Sequence, residues 1–473
     1  MTTRSEIFVG QRACARLFPI RARKRAAHTG SGFFALLLIP ALLSAADLAP
    51  AGGARLLKIA DNAFAGSSVN VLANSQHTLV THGDTQYAAF YAADSTLVLA
   101  QRPLGRDTWT THRTAFKGRT ADAHNSIALG VDGDGFLHIA WDHHNNALNY
   151  ARGTAPGSLE LGPREAMTGA HENRVTYPAF LPLPGGDLLF FHRDGGSGRG
   201  NLVLSRYDRR ARLWSRVHAS LIDGEGARSA YPAYTVDARG TLHLAWVWRA
   251  TPDVATNQDL AYARSLDGGV TWSAADGRPL AVPFTAANAD YALRVGPNRS
   301  LMNPPSLAAD SLGRPLIANY WTPEGSDIPQ FHVVRHDGFK WRVTQVTART
   351  TPFTLAGGGT KNPPISRAVL AVRATEDEGR EVVLVYRDDE KEGRIVAATC
   401  EDLRKTGWRF TALTAGSVGA WEPSFDPVAW ARTGELHLLV QPVVQRDGND
   451  REAAAVAPTP VSVLIWHPPT PKP

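Results

Sequence analysis

The chain has 473 residues, of which 43% are hydrophobic and 20% charged, and its formal net charge is +6 at pH 7. Of its 50 Lys and Arg residues, seven lie in the first 46 positions, together with one of the 44 Asp and Glu residues, so the remainder holds 43 of each sign. This balance excludes a basic nucleic-acid-binding surface over the whole chain. Cys14 lies in the first segment and Cys400 stands alone, which excludes a disulfide framework.

Residues 1–46 are predicted to be a signal segment. The basic run RARKR begins at residue 21 and precedes the apolar run FFALLLIPALLSA. The apolar run is shorter than the roughly 20 residues that a membrane-spanning helix needs. We therefore expect cleavage near Ala45 or Ala46, no stable membrane span, and export of a monomer to the periplasm or outside the cell.

Seven short stretches share one pattern, in which a turn with Asp or Gly precedes an apolar or aromatic strand. They begin near residues 87, 137, 188, 242, 315, 382 and 436. Most intervals are about 50 residues, a length typical of one propeller blade. No segment has a sustained helical apolar period. The sequence predicts an all-β, seven-bladed β-propeller with four-stranded blades over residues 47–467, followed by a tail at 468–473.

The stretch DAHNSIALGVDGDGFLHIAWDHHNN, residues 122–146, holds four histidines. His138 falls in a slot that also holds histidine in two other repeats, so we expect it to belong to the scaffold. The others do not recur from blade to blade, which makes them candidates for function: His124, His143 and His144. Successive side chains of a strand point to opposite sides, so one member of the adjacent pair is expected to face the site and the other to pack.

Further polar residues that do not recur follow in the next two repeats. Tyr177 stands before proline in VTYP, and Arg193 enters the glycine-rich segment RDGGSGRGN. GARSAYPAY then supplies Arg228 and Tyr231. Because the loops at one end of a propeller line a shared pocket, these residues are expected to converge.

Residues 265–272, SLDGGVTW, fit the Asp-box turn of sialidase-like propellers. We expect Asp267 to accept backbone amide hydrogens within the hairpin turn and Trp272 to pack between strands. This motif is structural and does not by itself indicate a reaction.

As a set, DAHNSIALGVDGDGFLHIAWDHH, VTYP, RDGGSGRGN and SLDGGVTW resemble the BNR-4 type propellers, which include ulvan lyases and related rhamnosyl-glucuronate-cleaving enzymes. The likeness covers all seven repeats. In lyases of this group a His of an HN motif, a His of the next H-H segment, a Tyr before Pro and an Arg 16 positions later form the active site. The resemblance implies His124, His144, Tyr177 and Arg193 as catalytic residues.

The same resemblance implies four substrate contacts: Asn125, His143, Arg228 and Tyr231. It implies a secreted lyase that cleaves an anionic, ulvan-like rhamnose and glucuronate polysaccharide by β-elimination, without a cofactor. Arg193 would neutralise the uronate carboxylate. Tyr177 and His124 would transfer protons, and a nearby guanidinium is expected to lower the pKa of Tyr177.

Two other functions fit the same fold. One is an exo-acting α-L-rhamnosidase on rhamnosyl-glucuronic acid, for which Asp142 and Asp194 are the nearby acids; the other is a non-catalytic glycan-binding propeller. Neutral imidazoles suit zinc, but no acidic or cysteine partner at the usual spacing accompanies His124 and His144. No metal site is therefore predicted, and neither structural calcium nor zinc is supported by the sequence.

Overall fold

The computed structural model describes residues 48–72, 77–374, 380–404 and 407–469. The predicted signal segment, residues 1–46, and the last four residues of the predicted tail lie outside these ranges. The one α-helix in the described ranges, α1 (Pro427–Thr433), has seven residues. None of the described helices combines the length and the apolar character needed to cross a membrane.

Antiparallel sheets succeed one another along the chain and form seven blades. The first strand is β1 (Arg55–Ala63). Blades 1 to 3 follow with β2 (Leu79–His82), β3 (Thr85–Tyr91), β4 (Thr96–Pro103), β5 (Thr110–Lys117), β6 (Ile127–Val131), β7 (Leu137–Trp141), β8 (His144–Asn146), β9 (Tyr150–Arg152), β10 (Val175–Pro182), β11 (Leu188–Asp194), β12 (Asn201–Asp208) and β13 (Leu213–Ile222).

Blades 4 to 7 contain β14 (Ser229–Val236), β15 (Leu242–Arg249), β16 (Asn257–Ser265), β17 (Trp272–Ser273), β18 (Pro279–Leu280), β19 (Tyr291–Leu293), β20 (Ser306–Ala309), β21 (Pro315–Trp321), β22 (Gln330–His336), β23 (Trp341–Gln345), β24 (Val369–Ala374), β25 (Arg380–Asp388), β26 (Arg394–Cys400), β27 (Arg409–Ala412), β28 (Leu436–Val440) and β29 (Thr459–Trp466).

Six of the seven strands expected from the sequence are the second strands of their blades: β3, β7, β11, β15, β21 and β25. The seventh, β28, is the end strand of the sheet of blade 7 and pairs with β29. The seven-bladed all-β architecture is confirmed. Four strands is the commonest number, found in blades 1, 5 and 6, while the sheets of blades 2 and 7 have three strands, that of blade 3 has five and that of blade 4 has six. Local patterning was sufficient here because each of these strands is buried on both faces between neighbouring blades.

The ring closes by pairing the two ends of the described chain. Strand β1 is the outer strand of blade 7, where it pairs antiparallel with β29, and β29 pairs with β28. The indole of Trp466 donates to the carbonyl of Gly52 at 3.0 Å. Apolar clusters fill the space between successive blades and form the core of the ring.

The recurrent histidines belong to the scaffold, as predicted. His138 is fully buried and lies 2.7 Å from the hydroxyl of Tyr150 through Nδ1 and 3.2 Å from Asp132 through Nε2. His243 repeats this arrangement with Tyr262 and Asp237, at 2.7 and 3.1 Å. Each histidine therefore ties the turn before its strand to the next strand.

The Asp-box prediction is also confirmed. The carboxylate of Asp267 accepts the amide hydrogens of Val270 and Thr271 at 3.0 and 2.9 Å, and the hydroxyl hydrogen of Ser265 at 2.7 Å. Trp272 is 4% exposed and donates from Nε1 to the carbonyl of Gly269. The motif stabilises the hairpin between β16 and β17.

Candidate active site

One carboxylate holds the two histidines that the sequence analysis selected. Asp122 caps the 3-10 helix Ala123–Asn125, and its Oδ1 accepts the amide hydrogen of His124 at 2.9 Å. The same Oδ1 lies 2.7 Å from Nδ1 of His124, and Oδ2 lies 2.6 Å from Nδ1 of His144. The two rings stack with centroids 4.0 Å apart. Asp122 therefore orients both imidazoles.

The protonation of this group follows from its contacts. Burial raises the pKa of Asp122, but hydrogen bonds from His124 and His144 outweigh it and hold that pKa well below its ordinary value. Burial lowers the pKa of His124, and the hydrogen bond with Asp122 opposes this only partly. A carboxylate accepts hydrogen bonds only, so each neutral ring carries its hydrogen on Nδ1. The lone pair on Nε2 is then the basic one in both histidines.

A strand exchange places His144 beside Tyr177. Strand β8 leaves the sheet of blade 2 and pairs with the inner strand of blade 3, β10, where His144 lies opposite Thr176. Tyr177 follows with a φ of 55° at a break in the register of β10 and precedes Pro178. A left-handed backbone at a tyrosine stores strain, which is typical of functional sites. The Tyr177 and His124 rings are 5.7 Å apart between centroids.

Arg193 lies near the end of β11, opposite Thr176 in the register, and is 4% exposed. Its Nε donates to the carbonyl of Gly195 at 3.0 Å, and its Nη1 donates to the hydroxyl of Tyr231 at 3.3 Å. The guanidinium carbon is 4.9 Å from the ring centroid of Tyr177. Within the described part of the chain, Nη2 has no hydrogen-bond partner, so this edge of the guanidinium remains available to a ligand.

Tyr231 lies between two guanidinium groups. Arg249, at the end of β15, donates from Nη1 to the Tyr231 hydroxyl at 3.1 Å, and its carbon lies 4.3 Å from the ring centroid. Arg249 is itself held by the side chains of Asn257 and Asn303. The hydroxyl of Ser197 lies 2.8 Å from that of Tyr231. Blades 3 and 4 are thus joined through one phenol oxygen.

The two tyrosines have opposite pKa shifts. Burial raises the pKa of Tyr177 well above its ordinary value, and the charge of Arg193 only partly opposes this. Burial also raises the pKa of Tyr231, but Arg249 and Arg193 outweigh it and the net pKa is lowered. Arg193 does act to lower the pKa of Tyr177, but burial outweighs it, so the expected net lowering is wrong. Tyr231 receives the hydrogen bonds that stabilise a phenolate, whereas the guanidinium of Arg193 contacts Tyr177 through the face of its ring.

The structure does not bring three of the implied substrate contacts to this group. His143 is fully buried, and its Nε2 accepts the amide hydrogen of Asn149 at 2.8 Å, so it is the packing member of the His143–His144 pair. Asn125 is 2% exposed and donates to the carbonyl of Arg119. Arg228 pairs with Glu225. Burial or pairing within the fold engages these three side chains, and their role as substrate contacts stays a prediction.

Sequence analysis missed two residues that complete the group. Asp122 stands two positions before His124, and the capping pattern of an Asp before a short helix was the signal available for it. Arg249 ends the second strand of its blade, as Arg193 nearly does in the blade before, so alignment of the two repeats could have indicated it.

Four metal-ligating side chains meet at the same place: Asp122, His124, His144 and Asp450. One donor atom from each lies within 4.8 Å of the others. The sequence shows no acid at the usual metal-ligand spacing from the two histidines, yet the fold brings two carboxylates to them. Asp450 comes from the loop between β28 and β29, far away in the sequence, so no local spacing could have revealed it.

Comparison with known proteins identifies a sequence family and solved structures of the same fold. The sequence model of the BNR repeat-containing family matches residues 85–349, which is more than half of the chain. No curated protein has a significantly similar sequence. The crystal structure of the polysaccharide lyase Uly1 is 15% identical and superposes with a TM-score of 0.64, covering 87% of this chain and 99% of the lyase.

A second solved structure is an ulvan lyase of a new polysaccharide lyase family, bound to -[GlcA(1-4)Rha3S]-. It is 17% identical and has a TM-score of 0.61, and the superposition covers 79% of this chain and 89% of the ulvan lyase. At such identities the structural likeness concerns the fold alone, whereas the sequence match runs from β3 of blade 1 to β23 of blade 5. The chain therefore belongs to the BNR repeat-containing family.

Proposed function

We propose that the protein is a polysaccharide lyase that cleaves a uronic-acid-containing polysaccharide by β-elimination. The observation that carries this proposal is the convergence of a histidine pair, a tyrosine and an arginine from adjacent blades. His124 stacks on His144 at 4.0 Å and lies 5.7 Å from Tyr177, and Arg193 covers the ring of Tyr177 at 4.9 Å. These are the groups that an elimination next to a carboxylate requires.

The first requirement is neutralisation of the substrate carboxylate. Loss of the C5 proton of a uronic acid builds negative charge beside a group that is already negative. Arg193 can donate two parallel hydrogen bonds to that carboxylate, and its Nη2 has no partner among the described residues. Arg249 adds a second positive charge behind Tyr231, since both guanidinium groups donate to the same hydroxyl.

The second requirement is a base and an acid within reach of the reacting bond. His124 presents a basic Nε2, because its Nδ1 faces the carboxylate of Asp122. Tyr177 keeps its proton, since its pKa is raised. We assign removal of the C5 proton to His124 and protonation of the leaving O4 to Tyr177. His144 and Tyr231 complete the walls of the site, with Tyr231 as a sugar contact.

The substrate class is taken from the fold neighbours and is part of the proposal. One neighbour is named an ulvan lyase and was solved with a glucuronate and sulfated rhamnose ligand. An anionic polymer suits a site with two buried guanidinium groups. A polymer of this kind is met outside the cytoplasm, which agrees with the signal segment predicted at residues 1–46.

The rhamnosidase alternative has less support. It needs two available carboxylates, but Asp142 is bound to Arg119 at 3.1 Å and Asp194 to Arg174 at 3.1 Å. Both oxygens of Asp122 face imidazole nitrogens. These acids hold the scaffold together and are not free to serve as a nucleophile and an acid.

The test is ultraviolet absorbance of the purified protein incubated with ulvan and, separately, with gum arabic, because elimination leaves an absorbing C4=C5 double bond. The absorbance is expected to rise with ulvan. The rate of this rise should be lower by about 10²-fold or more in Tyr177→Phe, the usual loss on removing a proton-transfer group. Tyr291→Phe is the matched control, because Tyr291 lies on β19 of blade 4 and its hydroxyl donates to the carbonyl of Ala286. Its rate should equal that of the unaltered protein. Free rhamnose without absorbance would reassign the protein to the hydrolases, and binding without either product would make it a glycan-binding module.

A further inference from the structure

The histidine pair of the proposed lyase site also faces a second carboxylate. Oδ2 of Asp450 lies 3.6 Å from Nδ1 of His124, on the side where Asp122 already holds that ring. With His144, the group offers two nitrogen and two oxygen donors whose atoms all lie within 4.8 Å. The donors are therefore gathered around one point on the Nδ1 side of the rings, away from the basic Nε2 atoms.

Apart from the two imidazoles, the carboxylates at this point have no basic partner among the described residues. Asp450 is fixed by the backbone amide of Thr360, which donates to its two oxygens at 2.9 and 3.2 Å. Within the described ranges, neither Asp122 nor Asp450 forms an ion pair with Lys or Arg. Asp447, three positions before Asp450 in the same loop, is paired with Lys361. Two largely buried carboxylates without a cation are costly, and a divalent cation would remove that cost.

We propose that Asp122, His124, His144 and Asp450 form a zinc site, and that zinc in this site switches off the lyase reaction. Two imidazoles and two carboxylates are a ligand set that Zn²⁺ accepts in tetrahedral geometry. Bonds of about 2.0 Å to each donor put tetrahedral ligands about 3.3 Å apart. Nδ1 of His144 and of His124 lie 2.6 and 2.7 Å from the oxygens of Asp122, and Nδ1 of His124 lies 3.6 Å from Oδ2 of Asp450. All three distances are within 1 Å of that spacing. Calcium prefers oxygen ligands alone, so it should bind poorly.

The inhibitory effect rests on the proposed function and follows from the tautomers. Zinc takes the Nδ1 lone pair of His124 and of His144, so each ring gives up its Nδ1 proton to solvent and takes one from solvent at Nε2. The proton count does not change, and the charge of Zn²⁺ balances the two carboxylates. Nε2 of His124 is then an N–H donor and cannot remove the C5 proton.

Binding is measured by isothermal titration of ZnCl₂ into the metal-free full protein, with CaCl₂ in a parallel titration. One zinc ion per chain is expected to bind, with affinity at least 100-fold lower in Asp450→Asn. Asp447→Asn is the matched control, because it removes a neighbouring carboxylate of the same loop that already has a lysine partner, and its affinity should be unchanged. Equal zinc affinity in Asp450→Asn, no zinc binding, or equally tight calcium binding would each overturn the proposal.

The switch is measured separately from catalysis. In ¹⁵N-histidine NMR spectra, zinc should move the hydrogen of two imidazoles from Nδ1 to Nε2, and spectra that keep both hydrogens on Nδ1 would overturn the switch. If ulvan is cleaved, one equivalent of zinc should lower the rate at least tenfold and chelation should restore it. If ulvan is not cleaved but zinc binds and shifts the tautomers, the zinc site stands and the proposed reaction fails.

Discussion

Replacement of Arg193 tests how the site would neutralise a substrate carboxylate. A guanidinium about 4 Å from a carboxylate contributes about 4 kcal/mol at an effective dielectric constant of about 20. Arg193→Ala removes this and should lower kcat/KM by about 10³-fold. Arg193→Lys keeps the charge but loses one of two hydrogen bonds to a charged group, about 1.5 to 3 kcal/mol. Its expected loss is about 10- to 150-fold.

The assay is the initial rate of absorbance increase on ulvan at substrate concentrations below KM, with thermal unfolding of each variant. Some loss of stability is expected in both variants, because Arg193 donates to the Gly195 carbonyl and packs on Tyr177. Arg174→Lys is the control in the same blade, since its side chain is 63% exposed and paired with Asp194. It should keep the rate of the unaltered protein.

Two results would refute this reasoning. A rate for Arg193→Lys within about threefold of the unaltered protein would show that a two-point hydrogen bond is not used. An Arg193→Ala variant that remains folded and loses less than about tenfold would show that no carboxylate lies at this guanidinium in the transition state.

Three further predictions concern the network, the scaffold and the pH dependence of stability. Arg249→Met removes a donor to the Tyr231 hydroxyl, so the Tyr231 pKa should rise and kcat/KM on ulvan should fall about 10- to 100-fold, which an absorbance assay measures. Asp267→Ala removes the acceptor of the Asp-box turn and should lower the free energy of unfolding by about 2 to 4 kcal/mol in urea, with an unchanged rate per folded molecule. His332 is 5% exposed and stacks on Trp321, and burial lowers its pKa to about 4. Its unfolded pKa is higher, so the unfolded chain binds the proton first and stability falls as pH decreases from about 6.5 to about 4. Between pH 7 and about pH 4.5, the free energy of unfolding of His332→Phe should fall by about 2 to 3 kcal/mol less than that of the unaltered protein. An equal fall in the two proteins would contradict this pKa.

Local patterning determined the blades and the recurrent scaffold residues. Each second strand is a short apolar run after a turn, and such a run is buried whichever blade adjoins it. His138 and His243 were recognised as scaffold because repetition puts both in the same environment. The approach of Tyr177 to Arg193 was also within reach of the sequence, because β10 and β11 form one hairpin and Thr176 pairs with Arg193.

Only the tertiary structure decided the features that depend on contacts between blades. Asp450 reaches His124 because the ring brings the loop of blade 7 to the loop before blade 2, and no local spacing encodes that contact. The direction of the pKa shift of Tyr177 was predicted wrongly, since the charge of Arg193 was considered without burial. Tyr231 receives hydrogen bonds from Arg249 as well as Arg193, whereas burial dominates at Tyr177. Desolvation and charge depend on everything packed around a group, so they are set by the closed ring and not by any single stretch of sequence.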